Sequence, residues 1–499
     1  MISRKGDIAS VIVGDHRGIL IPSLGRFRLG AGRLMGFRCV HTHLKGESLT
    51  REDLNDLVIM GLDVMACIQV GDGGIPGPIS FAHILPRNND NEKWSITRVP
   101  DIGRLNTDFH ALVRSLEGEL ARTNGGLTLQ GRERAVLVGV CTGTTGKSWE
   151  SLEELKDLAR SNNLEVADMV VQRVKEVNPR YLMGKGKLAD LLLRCLQMGS
   201  NLMIFDNELT PAQVKSLTDQ TELKIIDRSQ LILDIFARRA VTREGKIQVE
   251  LAQLRYLLPR LATKNTAMSR LTGGIGGRGP GETKLEINRR RVRERIARLN
   301  REWEQVKKQR EERRRLRNAR RLPVVSIVGY TNAGKSTLLN SLTRSRVHVE
   351  NRLFATLDPS SRRLRFPRER EVIITDTVGF IRDLPEYLME AFAATLEELY
   401  DADLLLHVVD ASSPRMEEQV AAVECILKKL NLHHVQTLLV LNKWDRLDPK
   451  RAAAICQEWK GIPISALDPG TFSRLLHEME HIIWPRASSR LISAGSRSL

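Results

Sequence analysis

The octapeptide Gly329-Tyr330-Thr331-Asn332-Ala333-Gly334-Lys335-Ser336 constrains this chain more than any other stretch, because it is a complete phosphate-binding loop with the flanks such a loop needs. The apolar run from Leu322 to Val328 reads as a buried strand, and Thr337 to Leu342 opens an apolar helix. A strand that feeds a helix through a glycine-rich turn aims backbone N–H groups and the positive helix end at phosphate oxygens. Lys335 can reach the β and γ oxygens, and Ser336 offers its hydroxyl to Mg²⁺. The last third of the chain is therefore expected to be a doubly wound α/β nucleotide-binding domain.

Further elements follow in a fixed order. EVIITDTVGF places Asp376 at the end of an apolar strand, followed by Thr377, Val378 and Gly379. This suits a carboxylate holding Mg²⁺ through water and a glycine whose N–H senses the γ-phosphate. TLLVLNKWD ends a second strand with Asn442, Lys443 and Asp445. A carboxylate there accepts both guanine N1–H and the exocyclic amine, a donor pair that adenine lacks, so the base is expected to be guanine. IPISA supplies Ser465 and Ala466, whose backbone is expected to meet the guanine O6, and LFATLDP offers Thr356 as a switch threonine for Mg²⁺ and γ-phosphate. Residues 329–337 and 376–379 would thus bind GTP or GDP, Ser336, Thr356 and Asp376 would hold the metal, and Lys335, Thr356 and Gly379 would serve catalysis. Phe380 stands where a water-orienting glutamine would be expected, so intrinsic hydrolysis should be slow and a partner should supply the missing positioning. Asn332 has two open readings: recruitment of K⁺ near the phosphates, or tolerance of the turn conformation.

At 499 residues the chain has room for about three domains. Its 77 Lys plus Arg against 60 Asp plus Glu leave a net charge of +17, which favours a polyanionic partner, nucleic acid first. The six cysteines are scattered with no CxxC pair, so neither a disulfide framework nor a zinc ribbon is indicated, and a reducing cytoplasm fits. MISRKGDIAS lacks an apolar signal core and no run approaches a membrane span, so a soluble, cytoplasmic protein is expected.

Upstream of the phosphate loop, Leu285, Val292, Ile296, Leu299, Trp303 and Val306 make a coiled-coil seam on a basic helix. Ile247, Leu251, Leu254 and Leu258 supply the partner, so an antiparallel hairpin is expected. Its tip, Gly273 to Gly281 with Arg278, offers bare backbone and positive charge to folded RNA. Arg289, Arg290, Arg291, Arg293, Arg295, Arg298 and Arg301 outnumber the acidic residues that could pair with them along the helix, which again favours RNA.

From Glu133 to Ala240, apolar strands (AVLVGV, EVADMVVQRV, NLMIFDN, LKIIDR) alternate with helices, one expected to start at a Ser151 cap, which predicts a parallel sheet. VCTGTTGKS imitates a phosphate loop but its first glycine is out of register, so it reads as a turn launching a helix. MGKGK, with Gly184 to Lys187, is a better candidate for phosphate or RNA. In the first 131 residues, His41-Thr42-His43 with Thr50 and Asp53 resembles the HxH plus [ST]xxD spacing of zinc-dependent isopeptidases. The upstream glutamate and the proline after the second histidine are missing, so structural histidines are favoured, with a Thr50-capped helix running through LTREDLNDLVIMGLDVMA.

MGKGK, FDNELTPAQ, the run from Asp227 to Leu261, GGRGPGETKLE and GYTNAGKST together resemble the HflX family of ribosome-associated GTPases over residues 133–486. The resemblance implies an HflX-type α/β domain (132–243), a hairpin linker (244–321) and a Ras-like GTPase domain (322–486), here with an extra N-terminal α/β module (1–131) and a Ser/Arg tail (487–499). It also implies a GTP-hydrolysing monomer that binds the large ribosomal subunit and ribosomal RNA and splits or rescues stalled ribosomes under stress. A GTPase of ribosome assembly or RNA modification, and an RNA-binding protein with GTP as a structural switch, stand as the alternatives. The small C-terminal domain of many relatives is missing from the pattern.

Overall fold

The computed structural model describes residues 1–14, 19, 21, 33–86, 88, 92–125, 133–221, 223–261, 284–319, 322–343, 354, 360–366, 370–382, 389 and 396–484. The chain divides into two compact units, with the boundary between Leu231 and Ile232. Among the described residues no helix is long and apolar enough to cross a membrane.

The first unit holds two sheets. Strands β1 (Ile2–Ser3), β2 (Phe37–His43), β3 (Val64–Val70), β4 (Pro76–Ile84) and β5 (Trp94–Val99) lie in sequence order, with helix α1 (Arg51–Ile59) connecting β2 to β3 and α2 (Phe109–Gly125) following β5. The α1 crossover makes β2 and β3 parallel, while the remaining neighbours are antiparallel. Thr50 and Asp53 form a reciprocal capping box at the start of α1. The helix is shorter than the sequence suggests. Gly61 at φ +59° ends it and Val64 begins a strand, because glycine takes the left-handed conformation without a Cβ penalty.

The second sheet is built by β6 (Arg134–Cys141), α3 (Thr145–Ser161), β7 (Glu165–Arg173), α4 (Lys185–Gln197), β8 (Leu202–Phe205), α5 (Pro211–Thr218) and β9 (Lys224–Asp227), and α6 (Arg228–Arg239), which follows β9, contains the boundary between the units. Its order is β7-β6-β8-β9 and every pairing is parallel, as the alternating pattern predicts. Ser151 is not a cap. The helix α3 starts six residues earlier, since nothing after the Gly143 turn stops propagation, and the Ser151 hydroxyl instead accepts a bond from Arg228 at 3.2 Å. That guanidinium is buried between Glu154 and Asp206, each at 2.9 Å.

One apolar core runs through both sheets. Leu54, Leu57 and Val58 of α1, Leu188, Leu191 and Leu192 of α4, and Val136 and Phe205 of the second sheet belong to it. Helix α4 buries residues Leu188, Ala189, Leu191, Leu192, Leu193 and Cys195. At 100° per residue these cover roughly 200° of its circumference, so α4 is clamped from two sides instead of resting one stripe on its own sheet. Lys185, in the MGKGK segment, pairs with Asp56 of α1 at 2.7 Å.

In the second unit, α7 (Arg243–Leu261) and α8 (Lys284–Ala319) pack through Ile247, Leu251, Leu254, Ile296, Leu299, Trp303 and Val306. Arg295 meets Glu250 at 2.7 Å and Arg243 meets Glu302 at 3.9 Å, so the helices run antiparallel. Val292 and Leu258 are only half-buried, which makes the seam narrower than the heptad pattern implies. The Gly273 to Gly281 tip with Arg278 lies outside the described residues.

The remaining elements are β10 (Val324–Val328), α9 (Lys335–Thr343), β11 (Ser360–Arg365), β12 (Glu371–Asp376), β13 (Leu404–Asp410), α10 (Met416–Lys429), β14 (Thr437–Asn442), α11 (Pro449–Glu458), β15 (Ile462–Pro463) and α12 (Ser473–Ile483). They form a six-stranded sheet ordered β11-β12-β10-β13-β14-β15, parallel except for β11. Parallel strands are buried on both faces, which is why β10, β12, β13 and β14 read as near-continuous apolar runs.

Candidate nucleotide site

Every residue singled out for nucleotide binding and described by the structure lies at the carboxyl ends of β10, β12, β14 and β15, the edge where open parallel sheets bind ligands. Thr356 lies outside the described residues. Its neighbour Phe354 is buried, with its ring edge-on to Phe236 at 4.6 Å between centroids.

The loop between β10 and α9 wraps the Lys335 side chain, whose Nζ donates to the Tyr330 carbonyl at 2.8 Å. Burial pushes this ammonium down to about 8, opposed by the Asp376 carboxylate. An incoming phosphate would supply the counter-charge that the buried lysine lacks. His407 of β13 is also buried. Desolvation, with the Lys335 charge second, lowers its pKa to about 4 and keeps the imidazole neutral. It sits inside the apolar run LLLHVVD, where no motif points to it.

Ser336 Oγ donates to Asp376 Oδ2 at 2.6 Å, and Asp376 is fully buried. A hydroxyl and a carboxylate held against one another form a hard-oxygen pair that fits Mg²⁺, not a soft metal. The segment after Asp376 is locked onto the phosphate loop. Thr331 N–H donates to the Phe380 carbonyl at 2.8 Å, Phe380 N–H to the Gly329 carbonyl at 3.1 Å, and Arg382 N–H to the Tyr330 hydroxyl at 2.8 Å. The Thr377 hydroxyl donates to the Ile327 carbonyl at 2.7 Å, so its side chain braces β10, and the Val378 side chain is likewise buried. At Gly379 a Cβ would stand 2.8 Å from Thr331 Cγ2 and 2.9 Å from Lys335 Nζ, so only glycine lets this strand end approach the lysine. Phe380 is buried and carries no group that could orient water.

Asn442 joins the two halves of the site. Its Nδ2 donates to the Ala333 carbonyl at 2.7 Å, and its Oδ1 accepts from Ala466 N–H at 2.8 Å. Gly334 sits beneath it at φ +94°, and a Cβ there would be 2.2 Å from Asn442 Nδ2. Lys443 adopts φ +60° and donates to Asp410 at 2.7 Å. Asp410 was not anticipated, although its place at the end of LLLHVVD was the available signal. Asp445 is exposed in the short turn Trp444–Arg446, as a base-reading carboxylate must be.

The amides of Ser465 and Ala466 both have acceptors within the fold. Ala466 N–H is donated to Asn442, and Ser465 N–H to Thr471 Oγ1 at 3.1 Å, because buried amides must be satisfied within the fold. A guanine O6 meeting either amide would have to share it. Asn332 is at φ +61°, which fits the turn-conformation reading, and it is exposed, which keeps its side chain within reach of a K⁺ ion. Thr337, in the first turn of α9, is half-buried.

Three family profiles match the chain in tandem: "GTP-binding GTPase N-terminal" over residues 149–237, "GTP-binding GTPase Middle Region" over 239–317, and "50S ribosome-binding GTPase" over 324–443. Among named relatives, GTPase HflX of Caldanaerobacter subterraneus subsp. tengcongensis is 50% identical over 317 residues, spanning 64% of this chain and 74% of that protein. GTPase HflX of Escherichia coli K12 is 47% identical over 316 residues, spanning 63% and 74%. Among solved structures, a GTP-binding protein of Sulfolobus solfataricus in complex with GDP is 25% identical, covering 70% of this chain and 98% of that one at a TM-score of 0.38.

Proposed function

This chain belongs to the HflX family of GTPases, and on that premise we propose that its GTP hydrolysis serves the large ribosomal subunit, where it splits or rescues stalled ribosomes in the cytoplasm under stress. The observation that carries the reading is the basic hairpin. Arg290, Arg291, Arg293, Arg295, Arg298 and Arg301 of α8 are all exposed, and Arg291 and Arg293 carry no salt bridge among the described residues. A helix with this excess of basic residues, leading into the nucleotide-binding domain, suits ribosomal RNA, whose phosphates it would neutralise with release of counterions. The profile described as a 50S ribosome-binding GTPase over 324–443 supports the same partner.

In this reading Asp445 selects guanine, while Lys335 and the loop amides from Gly329 to Thr337 hold the phosphates. Ser336, Asp376 and Thr356 would hold Mg²⁺, which when bound would offset charge on the β and γ oxygens. The amide of Gly379 reports whether a γ-phosphate is present, and the bonds from Phe380 and Arg382 carry that report into the loop. With Phe380 in place of a water-orienting side chain, the isolated protein turns over slowly, and K⁺ at Asn332 and the ribosomal subunit make up the deficit.

Sedimentation of ribosomes with the protein and GTP tests this. Loss of the intact-ribosome peak, with the protein on the large subunit, is the expected result. Binding confined to immature subunits would replace splitting by a role in assembly, and RNA binding indifferent to nucleotide would reduce GTP to a structural switch.

A further inference from the structure

We infer that β2 and the start of α1 form a binding site for a borderline divalent ion of the Zn²⁺ class, with His41, His43, Asp53 and Cys67 as its ligands. The site lies in the N-terminal module and does not depend on the GTPase reading.

Strand alternation puts His41 and His43 on one face of β2, and the parallel register with β3 sets Cys67 directly opposite His41. His41 Nε2 lies 3.0 Å from His43 Nε2 and 3.3 Å from Asp53 Oδ1, and His43 Nε2 lies 3.5 Å from Asp53 Oδ2. An ion with bonds of about 2.0 to 2.1 Å in a tetrahedral shell holds its nitrogen and oxygen ligands about 3.3 Å apart, close to these three separations; Asp53 meets His41 through Oδ1 and His43 through Oδ2, so a bound ion would take one of the two oxygens. The ligand atoms of His41, His43 and Cys67 lie within 4.8 Å of one another, so the thiol closes the set after a shift of about 1 Å toward the N–S edge of such a shell.

The surroundings hold these groups in place. The Thr50 amide and hydroxyl donate to Asp53 Oδ2 at 2.7 and 2.8 Å, so the capping box that starts α1 also fixes the carboxylate. His43 Nδ1 lies 3.2 Å from the Glu47 carbonyl, and the tautomer that donates there leaves the Nε2 lone pair facing the cluster. The side chains of His41, His43 and Asp53 are 7%, 14% and 19% exposed, which shields the site while leaving a path for an ion. Two imidazoles, a carboxylate and a thiol suit Zn²⁺ or Co²⁺ and are a poor set for Mg²⁺ or Ca²⁺. The sequence favours structural histidines because the flanking glutamate and proline are missing, but those residues are not ligands and the ligand geometry stands without them.

The test is Co²⁺ titration of the full chain, stripped of metal by a chelator and free of nucleotide. The expected result is one equivalent bound with the intense visible bands of tetrahedral cobalt and a thiolate-to-cobalt charge-transfer band, all displaced by Zn²⁺. Cobalt at Ser336 and Asp376 would instead give weak octahedral bands. His41→Ala and His43→Ala should remove the tetrahedral spectrum, with unchanged hydrogen-exchange protection of metal-free β2, β3 and α1 showing that the N-terminal module is folded. Asp53→Asn should weaken binding at least tenfold while still capping α1. Cys67→Ser should retain cobalt and lose only the charge-transfer band. No stoichiometric tetrahedral cobalt in the wild-type protein would overturn the site, as would a spectrum indifferent to His41→Ala. A tetrahedral spectrum without the charge-transfer band would remove Cys67 from the ligand set.

Discussion

Replacing Gly334 by alanine perturbs two things that can be separated. The residue sits at φ +94°, where a Cβ costs about 1 to 3 kcal/mol in backbone strain. The new methyl would also lie 2.2 Å from Asn442 Nδ2 and must displace that side chain. Displacement breaks the bonds to the Ala333 carbonyl and from the Ala466 amide. Each leaves a buried polar group unsatisfied, at about 1 to 3 kcal/mol apiece. Gly334→Ala should therefore destabilise the domain by about 3 to 9 kcal/mol, most of a typical domain's stability. In an Asn442→Ala background the second contribution is already lost, so adding Gly334→Ala should cost only the strain of about 1 to 3 kcal/mol. Native-state hydrogen exchange, read by mass spectrometry on peptides from β10 and β14, gives the opening free energies of all four proteins. The expected coupling is about 2 kcal/mol or more. Additivity within about 0.5 kcal/mol would show that Asn442 moves aside freely and does not bridge the two subsites.

Three other outcomes are expected. Asp445→Asn should shift preference from GTP toward xanthosine triphosphate in a competition assay, and unchanged preference would remove Asp445 from base recognition. Because the Lys335 pKa is lowered to about 8 in the unliganded site, GDP affinity should be constant below that value and fall as pH rises through it, by about threefold between pH 7.5 and 8.5. The unliganded domain should gain stability over the window from about 8 toward the ordinary lysine value of 10.5, since the unfolded chain binds the extra proton there; flat affinity across that interval would contradict the burial argument. Hydrolysis should be slow alone, faster with large ribosomal subunits, and faster in K⁺ than in Na⁺, so rapid turnover of the isolated protein in Na⁺ would refute the reading of Phe380 and Asn332.

The nucleotide motifs were legible because their chemistry is local: a strand, a glycine turn and a helix start within residues 322–342 carry their own geometry. The parallel order of the second sheet and the pairing of α7 with α8 were legible from apolar period alone. What the sequence concealed was nonlocal. Nothing near Asn442 says that its amide reaches back to Ala333, and nothing near Ala466 says that its N–H is already used. The start of α3 and the end of α1 were misplaced for the opposite reason, a serine overvalued as a cap and a glycine undervalued as a stop. Spacing along the chain pointed to His41, His43 and Asp53, but the addition of Cys67 depends on strand register, which that spacing does not contain.

Because α4 is held on both sides, the first 125 residues behave as the other half of a single fold and not as a detachable tag. Cutting the backbone between residues 125 and 133 should leave two fragments that remain together through Leu54, Leu57, Leu188 and Leu192 and reassemble when mixed. Expressing the chain from residue 133 onward would instead present that side of α4 to water and yield a self-associating particle. The same reasoning governs grafting. Joined to a relative that lacks it, this module would need a counterpart of α4 whose outward face is as apolar as Leu188, Leu192 and their neighbours, or it would have no surface on which to settle.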